Sequence, residues 1–379
     1  MASIAKRNDG RWRARYRDTR GTEHSRHFAR KIDAQRWLDQ VTTAVTTGTY
    51  VDPRRSRITV GEWSHRWLAT KVDLKPSTRA RYEGLLRVNV LPRWGNVQLA
   101  DVTHEAVGAW IAQLSASGLA GSTVRQAHRV LSLVFSLAVR DGRLARNPAD
   151  HVPLPRAAKV ERAFLSMDQV DDLAVAAGEY RTAILFLAYT GIRFGELAAL
   201  RVRRLDLLRR RAEIAEAVAE VRGRATFTSP KSHQIRSVPI PRFLVDDLAA
   251  LVASKQPEDF VFTASRGGLL RLQNFRHTIF DRAVRSAGLD GLTPHGLRHT
   301  AASLAIASGA DVKVVQQMLG HASATMTLDL YGHLYGDRLD EVADRMDALR
   351  TSRVVSADFL RTESTLIIFP RPSGTTTAQ

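Results

Sequence analysis

The chain has no cysteine. That absence excludes a disulfide framework and cysteine-ligated zinc, and it fits a reducing cytosol. An apolar run of the roughly 18 residues needed to cross a membrane is also missing. The opening "MASIAKRNDGRWRAR" offers no apolar segment to act as a secretion signal. Acidic residues are in deficit, 38 against 56 Lys+Arg, for a formal net charge of +18. Lysine is scarce too: 8 of those 56, leaving 48 arginines. A GC-rich coding sequence explains that bias as readily as selection for phosphate clamps, and it makes a well-placed lysine more informative. The charge favours a polyanionic partner, nucleic acid first and an acidic membrane surface second. The expectation is a soluble cytoplasmic protein, nucleoid-associated when bound to DNA, with no membrane partner.

At 379 residues, 44% of them hydrophobic, the chain is long enough for two or three domains with cores of their own. Residues 1–57 carry 14 Lys or Arg against 6 Asp or Glu. In "RWRARYRD", Arg11, Arg13, Arg15 and Arg17 alternate with Trp12, Ala14 and Tyr16, a period of two that predicts a strand with one basic and one apolar face. Flanking turn signals and the amphipathic "DAQRWLDQVTTAV" complete a small three-stranded sheet plus helix over 1–55, its arginine face open to a phosphate backbone or groove. After the linker-like "YVDPRRSR", residues 58–150 read as an all-α four-helix domain from "TVGEWSHRWLATK", "KPSTRARYEGLLRVNVLP", "THEAVGAWIAQLSASG" and "AGSTVRQAHRVLSLVFSLAVRDG". A second linker, "NPADHVPLPRAAKVERA", leads to a mixed α+β, mainly helical domain over 160–350. Residues 351–379 are expected to be a disordered tail.

Four strings in the last domain carry the chemistry: "TGIRFGELAAL", "SPKSHQIRSVPIP", "TPHGLRHTAASLAIASG" and "MLGHASATMTLDLYGHL". Together and in this order they resemble the catalytic boxes of the tyrosine recombinases, the phage integrase family. The two upstream segments resemble that family's arm-type and core-binding DNA domains. The resemblance implies that Arg193 and Arg298 clamp phosphate, Lys231 is the hairpin lysine, His295 and His321 fill the two histidine positions, Glu196 is a supporting carboxylate and Tyr331 is the nucleophile.

The residue chemistry agrees. Covalent cleavage of a phosphodiester needs a nucleophile, donors for the phosphoryl oxygens and a proton for the departing 5′ oxygen. Arginine meets two phosphate oxygens with one planar fork and keeps its charge. Gly191 and Gly195, flanking Arg193, are expected to let backbone approach a ligand. "HGLRHT" sets His295 and Arg298 three apart at a helix start, where both can face one phosphate. Zinc held by His295 and His299 is a weak reading without "HExxH" or a third ligand, and His299 is expected to be a packed or hydrogen-bonded helix residue. Lys231 sits in a polar turn from which its ammonium can protonate an alkoxide, although a solvated lysine fits the same position. His295 is the expected base for Tyr331, His321 a donor to a non-bridging oxygen, and Glu196 an orienting group.

The implied reaction conserves bond energy through a 3′-phosphotyrosyl ester, so no ATP, metal or other cofactor is expected. As the family does, four protomers would act on two double-stranded attachment sites through a Holliday junction, integrating or excising a phage or mobile element. A host DNA-bending protein and a directionality factor are further candidate partners. The alternatives are a noncatalytic DNA-binding regulator and, within the same chemistry, a chromosome-dimer resolvase or a topoisomerase. Tyr331 and Tyr335 stand four apart and share a helical face; only the boxes choose Tyr331, leaving Tyr335 to packing.

Overall fold

The computed structural model describes residues 2–18, 21–47, 50–52, 54–156, 164–229, 235–335, 342–348 and 350–351. The chain divides into two units, residues 1–161 with 219–226, and residues 162–218 with 227–379.

The alternation in "RWRARYRD" produces the strand it predicts. Strands β1 (Ser3–Lys6), β2 (Trp12–Arg17) and β3 (Glu23–Phe28) form an antiparallel sheet in that order. Ala14 and Tyr16 are buried on one face against Ala34 and Leu38 of helix α1 (Lys31–Thr46). The other face presents Arg13, Arg15 and Arg17, and their register partners His27, Ser25 and Glu23 lie beside them. Arg11 precedes β2 in the turn, so the strand carries three of the four expected arginines. Two of these pair with one carboxylate, Arg15 and Arg17 lying 3.6 and 3.8 Å from Glu23.

The segment expected to be the first linker is pinned at both ends. The Tyr50 hydroxyl lies 2.6 Å from that of Tyr16, while Ser56 donates to the Arg143 carbonyl and Arg55 pairs with Asp141. Beyond it come α2 (Val60–Ala69), α3 (Pro76–Leu85), a π-helical turn (Leu86–Val90) running into α4 (Leu91–Trp94), α5 (His104–Ala116) and α6 (Gly121–Arg140). Thr59 and Thr103 cap α2 and α5 through their hydroxyls, the local signal that starts each helix. Trp67, Trp94, Leu131 and Phe135 are fully buried between these helices, each such side chain contributing about 1.5–3 kcal/mol. The start of the second linker is also docked. The amide nitrogen of buried Asn147 lies within hydrogen-bond distance of Ser132, Ser136 and Asp150, and Arg125 reaches the Pro155 carbonyl.

The second unit contains α7 (Met167–Ala176), α8 (Arg181–Thr190), α9 (Phe194–Ala199), β4 (Leu205–Asp206) and β5 (Arg211–Ile214). Next in the chain are β6 (Ala217–Val221), β7 (Arg224–Thr228) and β8 (Arg236–Pro239). Then follow α10 (Val245–Val252), α11 (Leu272–Phe275), α12 (Asp281–Ser286), α13 (Pro294–Ala307), α14 (Val312–Leu319) and α15 (Ala324–Tyr331). The sheet order is β4-β5-β8, with β6 and β7 paired separately. Helix α8 is buried almost all round, as its unbroken "AILFLA" requires. It forms the centre against which α7 and α13 pack. Tail residues 352–379 lie outside the described residues. Among the described residues no helix is long and apolar enough to cross a membrane.

Candidate active site

Five short segments of the second unit meet at the ends of α8, α9, α13, α14 and α15. Arg193 is the N-cap residue of α9, and its backbone N–H donates to Glu196 Oε2 at 2.9 Å. The guanidinium returns over the same turn, with Nη1 2.9 Å from Glu196 Oε1. Burial alone would raise the Glu196 carboxyl; hydrogen bonds and charge from Arg236, with Arg193, more than offset that and hold it below the usual carboxylate range. Glu196 is therefore an ionised holder of arginines, as expected of an orienting group.

Arg236 was not singled out in the sequence. It opens β8, and its fork meets Glu196 with Nη1–Oε1 at 3.1 Å and Nη2–Oε2 at 2.6 Å. Its Nε donates to the Met318 carbonyl at the end of α14. Gly320, in the left-handed conformation at φ 65°, makes room: a Cβ there would meet Arg236 Cδ at 2.9 Å. A signal was available, since Arg236 follows the hairpin lysine by five residues in "SPKSHQIR", but 47 other arginines obscure it. We expect Arg236→Met to lower unfolding free energy by about 3 kcal/mol, because it strands a buried carboxylate. Adding Glu196→Gln should recover part of that loss in a urea titration, and no recovery would show that the pair is not the source.

Arg298 on α13 is 3% exposed. Its fork is spent partly on the fold: Nη1 donates to the Gly191 carbonyl and Nη2 to that of Leu319, both at 2.7 Å. Burial, then the neighbouring Arg193 charge, pushes its pKa down from the ordinary value, yet a guanidinium remains cationic at working pH. The flanking glycines also meet a packing need. A Cβ on Gly191 would strike Leu319 at 2.6 Å, and one on Gly195 the Val218 carbonyl at 2.5 Å. Both therefore serve close internal packing.

His321 follows Gly320 and is buried, its Nδ1 2.9 Å from the Thr327 hydroxyl. Burial, with Arg298 and Arg193, holds its pKa near 4, so the imidazole is neutral at neutral pH. When the Thr327 hydroxyl donates to Nδ1, the ring proton resides on Nε2, the tautomer that a donor to phosphate needs. Thr327, itself fully buried, is a second site residue the sequence did not flag.

Tyr331 ends α15 and is fully buried. Its ring lies parallel to that of His321, with centroids 6.3 Å apart, and its hydroxyl is 2.8 Å from His299 Nδ1. The expected hydrogen-bonded role of His299 thus falls on the tyrosine oxygen itself. His295 is exposed one turn earlier, its ring edge-on to His299 at 5.0 Å between centroids. Tyr335 packs against the cluster of Ile306, Leu319 and Tyr331. Lys231 lies outside the described residues. So the structure brings Arg193, Glu196, Arg298, His321 and Tyr331 together, with His295 at the exposed edge. Arg11, Arg13, Arg15 and Arg17 belong to the first unit.

Three guanidinium groups, on Arg193, Arg236 and Arg298, act on one carboxylate, Glu196. The surplus positive charge suits an anion with several oxygens. Among the described residues, the one grouping of three metal-capable side chains is Asp18, His24 and Asp52, so the weak zinc reading of His295 and His299 gains no third ligand there.

Residues 163–338 match the model of the phage integrase family, residues 2–47 a phage integrase N-terminal domain, and residues 59–115 a phage integrase N-terminal SAM-like domain. A putative prophage phiRv2 integrase of Mycobacterium tuberculosis is 28% identical over 357 residues, covering 90% of this chain and 94% of the relative. Among solved structures, the Tn1549 transposon integrase in complex with a circular intermediate DNA superposes with a TM-score of 0.68 at 21% identity, covering 77% of this chain and 99% of that one. A lambda integrase tetramer bound to a Holliday junction gives 0.55 at 19% identity, covering 85% and 96%.

Proposed function

The chain belongs to the phage integrase family of tyrosine-type site-specific recombinases, and from that premise we propose that it integrates or excises a phage or mobile element, with Tyr331 as the nucleophile. The observation that carries the reading is the convergence of Arg193, Arg298 and His321 on the segment that ends in Tyr331. Arg193 and the donors that Arg298 does not spend on carbonyls hold the non-bridging oxygens of the scissile phosphate. Neutral His321 adds a donor through Nε2. Tyr331 Oη attacks phosphorus, the P–O5′ bond breaks, and Lys231 gives the leaving 5′ oxygen its proton. A 5′ hydroxyl of the partner duplex then attacks the 3′-phosphotyrosyl ester and releases Tyr331. Bond energy is kept, so the exchange needs no ATP.

The helical segment 58–150 and the N-terminal sheet serve as DNA-holding modules in this reading, core-binding and arm-type respectively. Arg13, Arg15 and Arg17, on the face turned away from α1, are the phosphate contacts, with Arg11 in the adjoining turn. Four protomers act on two duplexes, as the tetrameric lambda assembly suggests, and a host DNA-bending protein and a directionality factor are candidate further partners. The test is a supercoiled plasmid carrying two attachment cores mapped from DNA flanking the gene. Recombinant circles support the integrase. Relaxation without recombinants would mean a topoisomerase, and tight binding with neither would mean a regulator.

A further inference from the structure

Proton removal from Tyr331 needs a base, and His295, the residue the boxes offer for it, is exposed. A phenol ordinarily holds its proton to a pH of about 10, and the attacking oxygen must give it up during or before attack. A general base has to stand within hydrogen-bond reach, about 2.6–3.2 Å, of the proton it takes. His299 Nδ1 lies 2.8 Å from Tyr331 Oη. The contact joins α13 to the last residue of α15, so it is made by tertiary packing between residues 32 positions apart. His299 is half-buried, and His295 is exposed one turn before it.

We propose that His299 is the general base for Tyr331, a catalytic role in the reading given above and dependent on it. In the reactive tautomer Oη–H donates to Nδ1 while Nε2 carries the ring proton. As Oη bonds to phosphorus, its proton passes to Nδ1 and His299 becomes imidazolium. The electron pair of the P–O5′ bond leaves with the 5′ oxygen, which takes a separate proton from Lys231. On rejoining, the incoming 5′ hydroxyl returns its proton to Lys231, and the departing Tyr331 oxygen recovers the one held by His299. The protein ends each cycle in its starting protonation state, with no co-reactant consumed.

The surroundings support the assignment. Among the described residues, the titratable groups facing His299 include Tyr331 on α15, His321 after α14 and His295 on its own helix. Arg298 precedes it in the chain, and its charge is coupled to that of Tyr331, so a nearby guanidinium favours the phenolate as it forms. The rings of His295 and His299 lie edge-on, and His295 carries the pair to the exposed side of the helix. His295, relieved of the base role, remains for the phosphate.

The test is single-turnover cleavage by the full chain of a nicked duplex carrying the mapped attachment core, followed from pH 5 to 9. His299→Gln keeps a polar side chain at the position and loses the basicity. We expect it to slow ester formation by about 10²–10⁴-fold and to replace the plateau of the unaltered protein with a rate that keeps rising with pH. A second substrate, with sulfur in place of the bridging 5′ oxygen, leaves as a thiolate without needing a proton. It should restore Lys231→Ala and leave His299→Gln slow. His299→Ala should regain rate with added imidazole, a gain that a purely structural role would not give. An unchanged acidic limb in His299→Gln, or loss of that limb in His295→Gln instead, would overturn the proposal. No ester from the unaltered protein would overturn the nucleophile reading itself.

Discussion

Tyr331→Phe is expected to abolish the protein–DNA ester, while Tyr335→Phe leaves its yield within about twofold of the unaltered protein. The phenyl ring keeps the packing of Tyr331 against Ala301, Leu319 and Ile306, so the fold should survive. What disappears is the hydroxyl oxygen 2.8 Å from His299 Nδ1, and a covalent step has no substitute for its nucleophile. Tyr335 has the opposite profile. Burial, then the Asp311 charge, raises its pKa, and its hydroxyl has no hydrogen-bond partner among the described residues. Removing that hydroxyl should therefore cost nothing and could stabilise the cluster slightly. Gel separation of protein-linked DNA on a nicked substrate checks both variants. An ester lost in Tyr335→Phe and kept in Tyr331→Phe would reverse the assignment.

Arg298→Lys is expected to produce two losses of different origin. Cleavage should slow by roughly a hundred- to thousandfold, the usual effect of removing one preorganised donor from a developing oxyanion. Stability should fall by about 1–3 kcal/mol, because an ammonium cannot bridge the Gly191 and Leu319 carbonyls that the fork holds 2.7 Å from each terminal nitrogen. A urea titration and a single-turnover rate, measured on the same preparation, separate them. Full stability with lost cleavage would mean that the two carbonyl bonds contribute nothing to folding. Full cleavage with lost stability would remove Arg298 from the phosphate site.

The legible parts of the sequence were those written in local pattern. The alternation around Arg13 and Arg15 specified β2 and its basic face, and hydroxyl caps such as Thr59 and Thr103 marked helix starts. Arg193 and Glu196 were readable because three residues of helix bring them together, and the boxes placed His321 and Tyr331 at a spacing of ten residues. What stayed hidden depends on pairs far apart in the chain. Glu196 meets Arg236 across 40 positions, and His299 meets Tyr331 across 32. No periodicity encodes such contacts; they arise from how β8, α13 and α15 pack. The packing of Gly191 against Leu319 and of Gly195 against Val218 was hidden for the same reason, since a lone sequence shows that a Cβ is absent but not what fills the space.

The most direct measurement is the identity of the residue bound to DNA. Digesting the complex trapped on a nicked attachment core and sequencing the nucleotide-bearing peptide by mass spectrometry should place the adduct on Tyr331, within "LDLYGHL", on the 3′ phosphate of the cut strand. An adduct on Tyr335, on any other residue, or on the 5′ end of the break would contradict the account.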